Sequence, residues 1–194
     1  MKYEDNAISA ATRAEWRAWL EANHASASSV WLIIYKKDSG VPSVYYDEAV
    51  DEALCFGWVD SKPNKRDDNS YYQFFAKRNP KSNWSKVNKG KIENLLQLGL
   101  MAPAGLAAIE AAKNNGTWDA LNEVENMVIP DDLQHALEAN TLAKSNFEKF
   151  PRSSKRMILE WILNAKRKET RQKRIEETVS LAEVNRRANH YRDK

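Results

Sequence analysis

The chain has 194 residues, with 30 lysines and arginines against 27 aspartates and glutamates, a net charge of +3 with neutral histidines. A chain of this length buries roughly 70% of its unfolded surface, so no disulfide or metal staple is required to hold it. Hydrophobic residues at 42% and charged residues at 29% exclude wholesale disorder, and the longest apolar run, around Val30–Tyr35, falls far short of the roughly 18–20 residues of a membrane helix.

Taken in chain order, Thr12-Arg13-Ala14-Glu15 predicts a capping box, the Thr12 hydroxyl accepting from the Glu15 amide and the Glu15 carboxylate accepting from the Thr12 amide. The helix that follows presents Trp16, Trp19 and Leu20 at one-turn spacing and stops near Asn23-His24. The β-branched and aromatic stretch Val30–Tyr35 predicts a central strand, broken at Asp38-Ser39-Gly40. A second helix over Asp47–Phe56 turns Ala49, Val50, Ala53, Leu54 and Phe56 inward and Asp47, Glu48, Asp51 and Glu52 outward, with Gly57 as its stop. Trp58–Lys62 and Ser70–Ala76 read as an antiparallel hairpin around the turn residues Asp67-Asp68-Asn69.

A helix capped near Ser82 is expected to run to Leu98 and close at Gly99. Beyond it the periodicity predicts helices at Pro103–Asn114, Pro130–Ala139, Leu142–Phe150, Ser154–Ala165 and Lys168–His190, with Asn114–Met127 largely loop. The fold class is α+β: a small antiparallel sheet, central strand plus hairpin, with helices in the N-terminal half and an all-helical C-terminal half. A division into parts 1–98 and 99–194, or one compact unit, fits this pattern.

Charge is arranged in alternating blocks. Residues 1–60 sum to −5, 61–91 to +7, 92–143 to −7 and 144–194 to +8. Either these faces pair off within the fold or the basic ones are left for an anionic partner.

Candidates for chemistry are few. Cys55 lies in the last turn of an apolar helix, where the helix dipole disfavours a thiolate, and reads as a buried structural cysteine. His24, His135 and His190 are scattered, with neither catalytic nor zinc-ligand spacing, so no catalytic residue, metal or cofactor is expected. Six glycines leave little for a phosphate-cradling loop.

Asp60, beside Trp58 and with Lys62 at the i+2 position, is the candidate for a ligand pocket, whose walls would be Trp31, Trp58 and Tyr72. A salt bridge or a turn-capping role for Asp60 is the alternative. Two segments form candidate basic patches: Lys77, Arg78, Lys81, Lys86, Lys89 and Lys91, interleaved with aromatics, and Lys166, Arg167, Lys168, Arg171, Lys173 and Arg174. Aromatic rings that stack bases beside cations that neutralise phosphates would make these a nucleic-acid surface. The same residues equally serve as helix-end cations and core aromatics, and no RNP, KH or helix-turn-helix signature accompanies them.

Five stretches, in order, resemble the YdeI/OmpD-associated (bacteriocin-protection) family. They are Trp16-Arg17-Ala18-Trp19-Leu20, the run Glu52–Ser61 containing Phe56-Gly57-Trp58-Val59-Asp60, Asn83-Trp84-Ser85-Lys86, Met101-Ala102-Pro103-Ala104-Gly105, and Ala165–Arg171 followed by Lys173-Arg174-Ile175. The resemblance spans about residues 10 to 182, with Val59 and Ser61 where the family usually has isoleucine and glycine. It implies a small bacterial protein with an α+β N-terminal part, a helical C-terminal part and a role in withstanding bacteriocins, antimicrobial peptides or envelope stress. No catalytic residues come with it.

The polar, acidic start Met1–Asn6 lacks the apolar segment of a secretory leader, so a cytoplasmic location is expected. The expected function is non-enzymatic and protective, through binding a peptide or protein partner. Cationic peptides would meet Asp47, Glu48, Asp51 and Glu52 or the acidic 92–143 block. The alternatives are nucleic-acid binding by segments 77–91 and 166–174, and a small-molecule site or enzyme centred on Asp60.

Overall fold

A computed structural model describes residues 6–190. The start at Met1–Asp5, on which most of the expectation of a cytoplasmic location rests, lies outside the described residues. The chain divides into two compact units, with the division between Asp119 and Ala120.

The first unit is built on a four-stranded mixed sheet of order β1-β2-β4-β3. Strand β1 (Ala7–Ser9) is followed by α1 (Arg13–Asn23), β2 (Ser29–Tyr35), a 3-10 turn at Lys37–Ser39, α2 (Tyr46–Cys55), β3 (Trp58–Lys65) and β4 (Ser70–Lys77). Helices α3 (Lys86–Gln97) and α4 (Pro103–Asn114) complete the unit. The expected central strand and hairpin are present, β2 and β3 each pairing antiparallel with β4. The sheet is nevertheless mixed, because β1 joins β2 in parallel, Ala7 opposite Trp31. A three-residue edge strand has too few residues to show a period, and it pairs only after α1 has carried the chain back alongside it.

One sheet face carries Val30, Leu32, Ile34 and Phe75, all buried, against Trp16 and Leu20 of α1 and Ala49, Val50, Ala53 and Leu54 of α2. The Trp16 ring lies 5.3 Å from Phe75, and its indole N–H donates to the Ala49 carbonyl at 3.0 Å. Ile92, Leu95, Ile109 and Ala112 of α3 and α4 extend the same core. The opposite face carries Trp31, Ile33, Tyr35, Tyr72 and Phe74, with Trp31 and Phe74 register partners at 4.7 Å.

Thr12 caps α1 as expected, accepting from the Glu15 amide at 3.2 Å, but the Glu15 carboxylate accepts from Ala11 rather than Thr12. Ser85, not Ser82, caps α3 by accepting from the Asn88 amide. Gly57 and Gly99 both take the left-handed conformation that ends a helix.

In the second unit, short α5 (Asn122–Glu125) precedes α6 (Asp131–Glu138), α7 (Thr141–Lys149), α8 (Arg152–Leu163) and α9 (Lys168–Glu183). Leu133, Leu137, Phe147, Ile158, Ile162, Ile175 and Ala182 form its core. Helix α9 is shorter than the expected Lys168–His190. Asn185 adopts a left-handed φ of 55°, and the Asn185 and Arg186 amides bond back to the Ala182 and Leu181 carbonyls, so the last turn closes on itself. Among the described residues, no helix is long and apolar enough to cross a membrane.

Candidate functional site

The α2 face expected to be fully acidic and outward is not. Glu52 is 2% accessible and its two carboxylate oxygens are held separately, by Arg13 Nε at 2.6 Å and by Arg17 at 2.7 Å. Arg17 also donates to the Leu100 carbonyl at 3.1 Å, so one carboxylate ties α1, α2 and the α3–α4 connection together. Asp51 is paired with Lys91 at 2.6 Å. The helix turns inward here because two arginines one turn apart on α1 supply the counter-charge that a buried carboxylate needs.

Cys55, next in line, is fully buried. Burial and the neighbouring Glu52 charge push its thiol up to about 11, against the opposing pull of Arg17. Its carbonyl accepts from the Ala102 amide at 3.0 Å, and Gly105 of α4 lies so close that a Cβ there would stand 2.2 Å from that oxygen.

The five pocket candidates fall on two faces of the sheet. Register places Trp58 and Asp60 with Phe75 on the helix-covered face, whereas Trp31 and Tyr72 lie on the other. Trp58 is buried edge-on against Trp19 at 5.9 Å. Lys62 does not share the face of Asp60, because a bulge interrupts β3: Asp60 faces Phe75, while Pro63 faces Gln73. Three residues of β3 there match two of β4, which resets the alternation. Pro63 is tolerated because β3 is an edge strand and has no outer ladder to donate to.

That bulge shapes a cleft of about 520 Å³ lined by Tyr46, Ser61, Pro63, Asn64, Tyr71 and Gln73, together with Lys65. Tyr46 begins α2 and donates its hydroxyl to Asp60 Oδ2 at 2.7 Å. Burial, the bond to Asp60 and the Asp47 charge all raise the Tyr46 phenol above its ordinary value, and burial and Asp47 raise Tyr71 as well. Gln73 is buried at the floor, its Nε2 donating to the Ser61 carbonyl at 2.5 Å. Asp60 is visible in the sequence, but Tyr46 and Gln73 are not: Tyr46 reaches Asp60 only through the α2–β3 packing, and Gln73 joins the cleft only through the β3–β4 register.

The first basic segment disperses. Lys77 donates to the Ala25 carbonyl, Lys89 pairs with Asp119 at 3.3 Å and Lys91 with Asp51, while Lys81 and Lys86 stay exposed. The Arg78 guanidinium lies 3.7 Å over the Trp84 ring and donates to the Asn83 carbonyl. Its burial lowers its pKa to about 10, partly opposed by Asp60, and its Nε and Nη1 meet no acceptor among the described residues.

In the second segment Arg171 grips Asp132 with two bonds of 2.6 and 2.9 Å, and Arg174 stacks on Trp161 while donating to its carbonyl. Lys166, Arg167, Lys168 and Lys173 are exposed. Among the described residues, no group of three His, Cys, Asp or Glu side chains is placed to hold a metal ion.

These features define an α+β protein: a mixed sheet with helices packed on one face, a cleft at the edge hairpin, and a separate helical unit. The chain belongs to the family described as a domain of unknown function (DUF8412), whose model matches residues 8–108, more than half of its length. Residues 126–185 match the family described as "Bacteriocin-protection, YdeI or OmpD-Associated". Of the five stretches that carried the resemblance, Ala165–Ile175 falls inside that second match and the other four inside the first. No curated protein and no solved structure matches the chain.

Proposed function

We propose that this chain is a non-enzymatic, cytoplasmic binding protein with a protective, stress-related role, and that its recognition site is the Tyr46–Tyr71 cleft beside Asp60. The cleft carries the reading: about 520 Å³ of mostly apolar, aromatic-walled space converging on a few polar groups is the size and character of a small-molecule site. The protective role is supported by the match of residues 126–185 to a family described by bacteriocin protection. Capture of cationic peptides by the exposed face of α2 is weakened as a route, since Glu52 is buried and Asp51 is paired with Lys91.

The test is a thermal-shift screen of the full chain against metabolites, xenobiotics and short peptides. A ligand at 100 times its Kd stabilises the native state by about 2.7 kcal/mol, a readily measured rise in Tm. At least one compound is expected to raise Tm in the parent protein and not in Tyr46→Ala. A screen in which no shift depends on Tyr46 overturns the assignment of the cleft.

A second reading, nucleic-acid binding, is favoured by six exposed cations, Lys81, Lys86, Lys166, Arg167, Lys168 and Lys173. It requires oligonucleotide affinity that falls linearly in log–log with salt, and absence of retention at about 50 mM salt removes it.

A further inference from the structure

We infer that the Tyr46–Tyr71 cleft selects a small amphiphilic organic cation, an ammonium or guanidinium carried on an aromatic or alkyl body; the inference rests on reading the cleft as the recognition site. Its walls are two phenol rings, whose faces carry the negative lobe of the ring quadrupole and attract cations within about 6 Å. The charged residue in its lining is Lys65, and the acidic charge lies behind the wall, in Asp60, which the Tyr46 hydroxyl ties to the cleft. Asp60 accepts one hydrogen bond, from Tyr46, and makes no ion pair among the described residues. Asp47 acts on both tyrosines. Its nearest cation, Lys91, stands 3.8 Å away and is held closer by Asp51 at 2.6 Å.

Among the described residues, none of the nearby cations makes a contact ion pair with Asp60. Lys65, in the lining, pairs with Asp68 at 3.0 Å, both side chains largely exposed. Arg78, three residues beyond the Phe75 that faces Asp60, interacts with Asp60 electrostatically but makes no ion pair with it, its hydrogen bond going to the Asn83 carbonyl and its face to the Trp84 ring. Lys62 projects from the bulge into solvent. A half-buried carboxylate without a contact ion pair among the described residues is costly, and a bound cation with an apolar body relieves that cost while covering Tyr46, Pro63 and Tyr71. An anion would meet the same carboxylates as repulsion. The phenols stay protonated well into alkaline solution, so the rings remain neutral, quadrupolar surfaces throughout the working range.

The experiment uses three probes with matched bodies on the full chain at low salt: phenethylammonium, 2-phenylethanol and phenylacetate, followed by ligand-observed NMR titration. Phenethylammonium is expected to bind tightest and phenylacetate weakest. Asp60→Asn keeps the shape and the Tyr46 contact but removes the charge, and is expected to weaken phenethylammonium about tenfold while leaving 2-phenylethanol unchanged. Tyr71→Leu, which keeps bulk without the aromatic face, should weaken the cation by about two- to fivefold. Circular dichroism establishes that both variants are folded.

Equal or tighter Tyr46-dependent binding of 2-phenylethanol or phenylacetate overturns the preference for cations and leaves the cleft as a binding site. Phenethylammonium binding untouched by Asp60→Asn, or no binding of any probe, also overturns the inference; the broader screen then decides the fate of the cleft itself.

Discussion

Replacing Glu52 with glutamine is the sharpest test of how the first unit is held together. The side chain is 2% accessible and accepts from Arg13 at 2.6 Å and Arg17 at 2.7 Å. Hydrogen bonds to a charged group are worth about 1.5–3 kcal/mol each, and glutamine, with one acceptor oxygen, keeps only one of the two as a weaker bond. Leaving a charge fully buried and unpaired costs about 3–5 kcal/mol. The arginine side chains, however, are 37% and 28% accessible, so water takes up part of the released guanidinium. The net expectation is a loss of about 2 kcal/mol, well above the ~0–1 kcal/mol of an exposed pair and below the fully buried figure. Urea unfolding followed by tryptophan fluorescence, with Trp16 and Trp58 in the core as reporters, should show a lower midpoint at unchanged slope. Tm should fall by about 4–8 °C. A loss under about 0.5 kcal/mol would refute the reasoning, because it would class the pair with surface ion pairs.

Gly105→Ala tests the close approach of α4 to α2. In an open helix alanine gains about 1 kcal/mol over glycine, but here its Cβ would stand 2.2 Å from the Cys55 carbonyl oxygen. A net destabilisation of about 2–3 kcal/mol by urea unfolding is therefore expected. Cys55 binds its proton more tightly in the folded chain, at about 11 against about 9 unfolded, so its contribution is intact below pH 9 and is lost as pH rises towards 11. Stability measured across that window should decline less steeply in Cys55→Ala than in the parent, and equal slopes would discount the burial of the thiol. In the second unit, the two bonds from Arg171 hold the Asp132 carboxyl below its usual range, so its stabilisation is present above about pH 4 and fades as pH falls through the lowered value. Asp132→Asn should cost about 1 kcal/mol at pH 7, as befits a half-exposed pair, and nothing in strong acid; a cost independent of pH would contradict this.

Local signals in the sequence are legible because they are local. The Thr12 cap, the Gly57 and Gly99 stops, Pro103 opening α4 and the apolar run Val30–Tyr35 depend on neighbours within one turn or one strand, and the structure has all of them. What was not legible depends on residues far apart in the chain. The inward turn of Glu52 needs Arg13 and Arg17, 39 and 35 positions away. Strand β1 needs β2, and the cleft needs a bulge whose extra residue shifts everything after Asp60 by one place. Alternation applied straight through that bulge puts Lys62 beside Asp60 and leaves Tyr46 unsuspected. Composition offers Trp31, Trp58 and Tyr72 as walls but carries no information about which sheet face a ring occupies.

The charge blocks show the same division between what is local and what is not. Alternating sums of −5, +7, −7 and +8 suit either pairing or open patches. Pairing accounts for much of the charge: Lys91 of the first basic block meets Asp51 of the first acidic one, and Arg156 and Arg171 of the last block meet Glu125 and Asp132 of the block before it. Each of those three pairs lies inside one compact unit, so the alternation is a record of two units, each carrying both signs. What pairing leaves over then becomes informative. Asp60 belongs to an acidic block whose other buried members are matched, yet among the described residues its one hydrogen bond comes from a phenol hydroxyl. Where the described buried carboxylates otherwise have contact ion pairs, a half-buried one whose nearest described contact is a phenol, set beside an aromatic cleft, is the place where an outside charge has the most to gain.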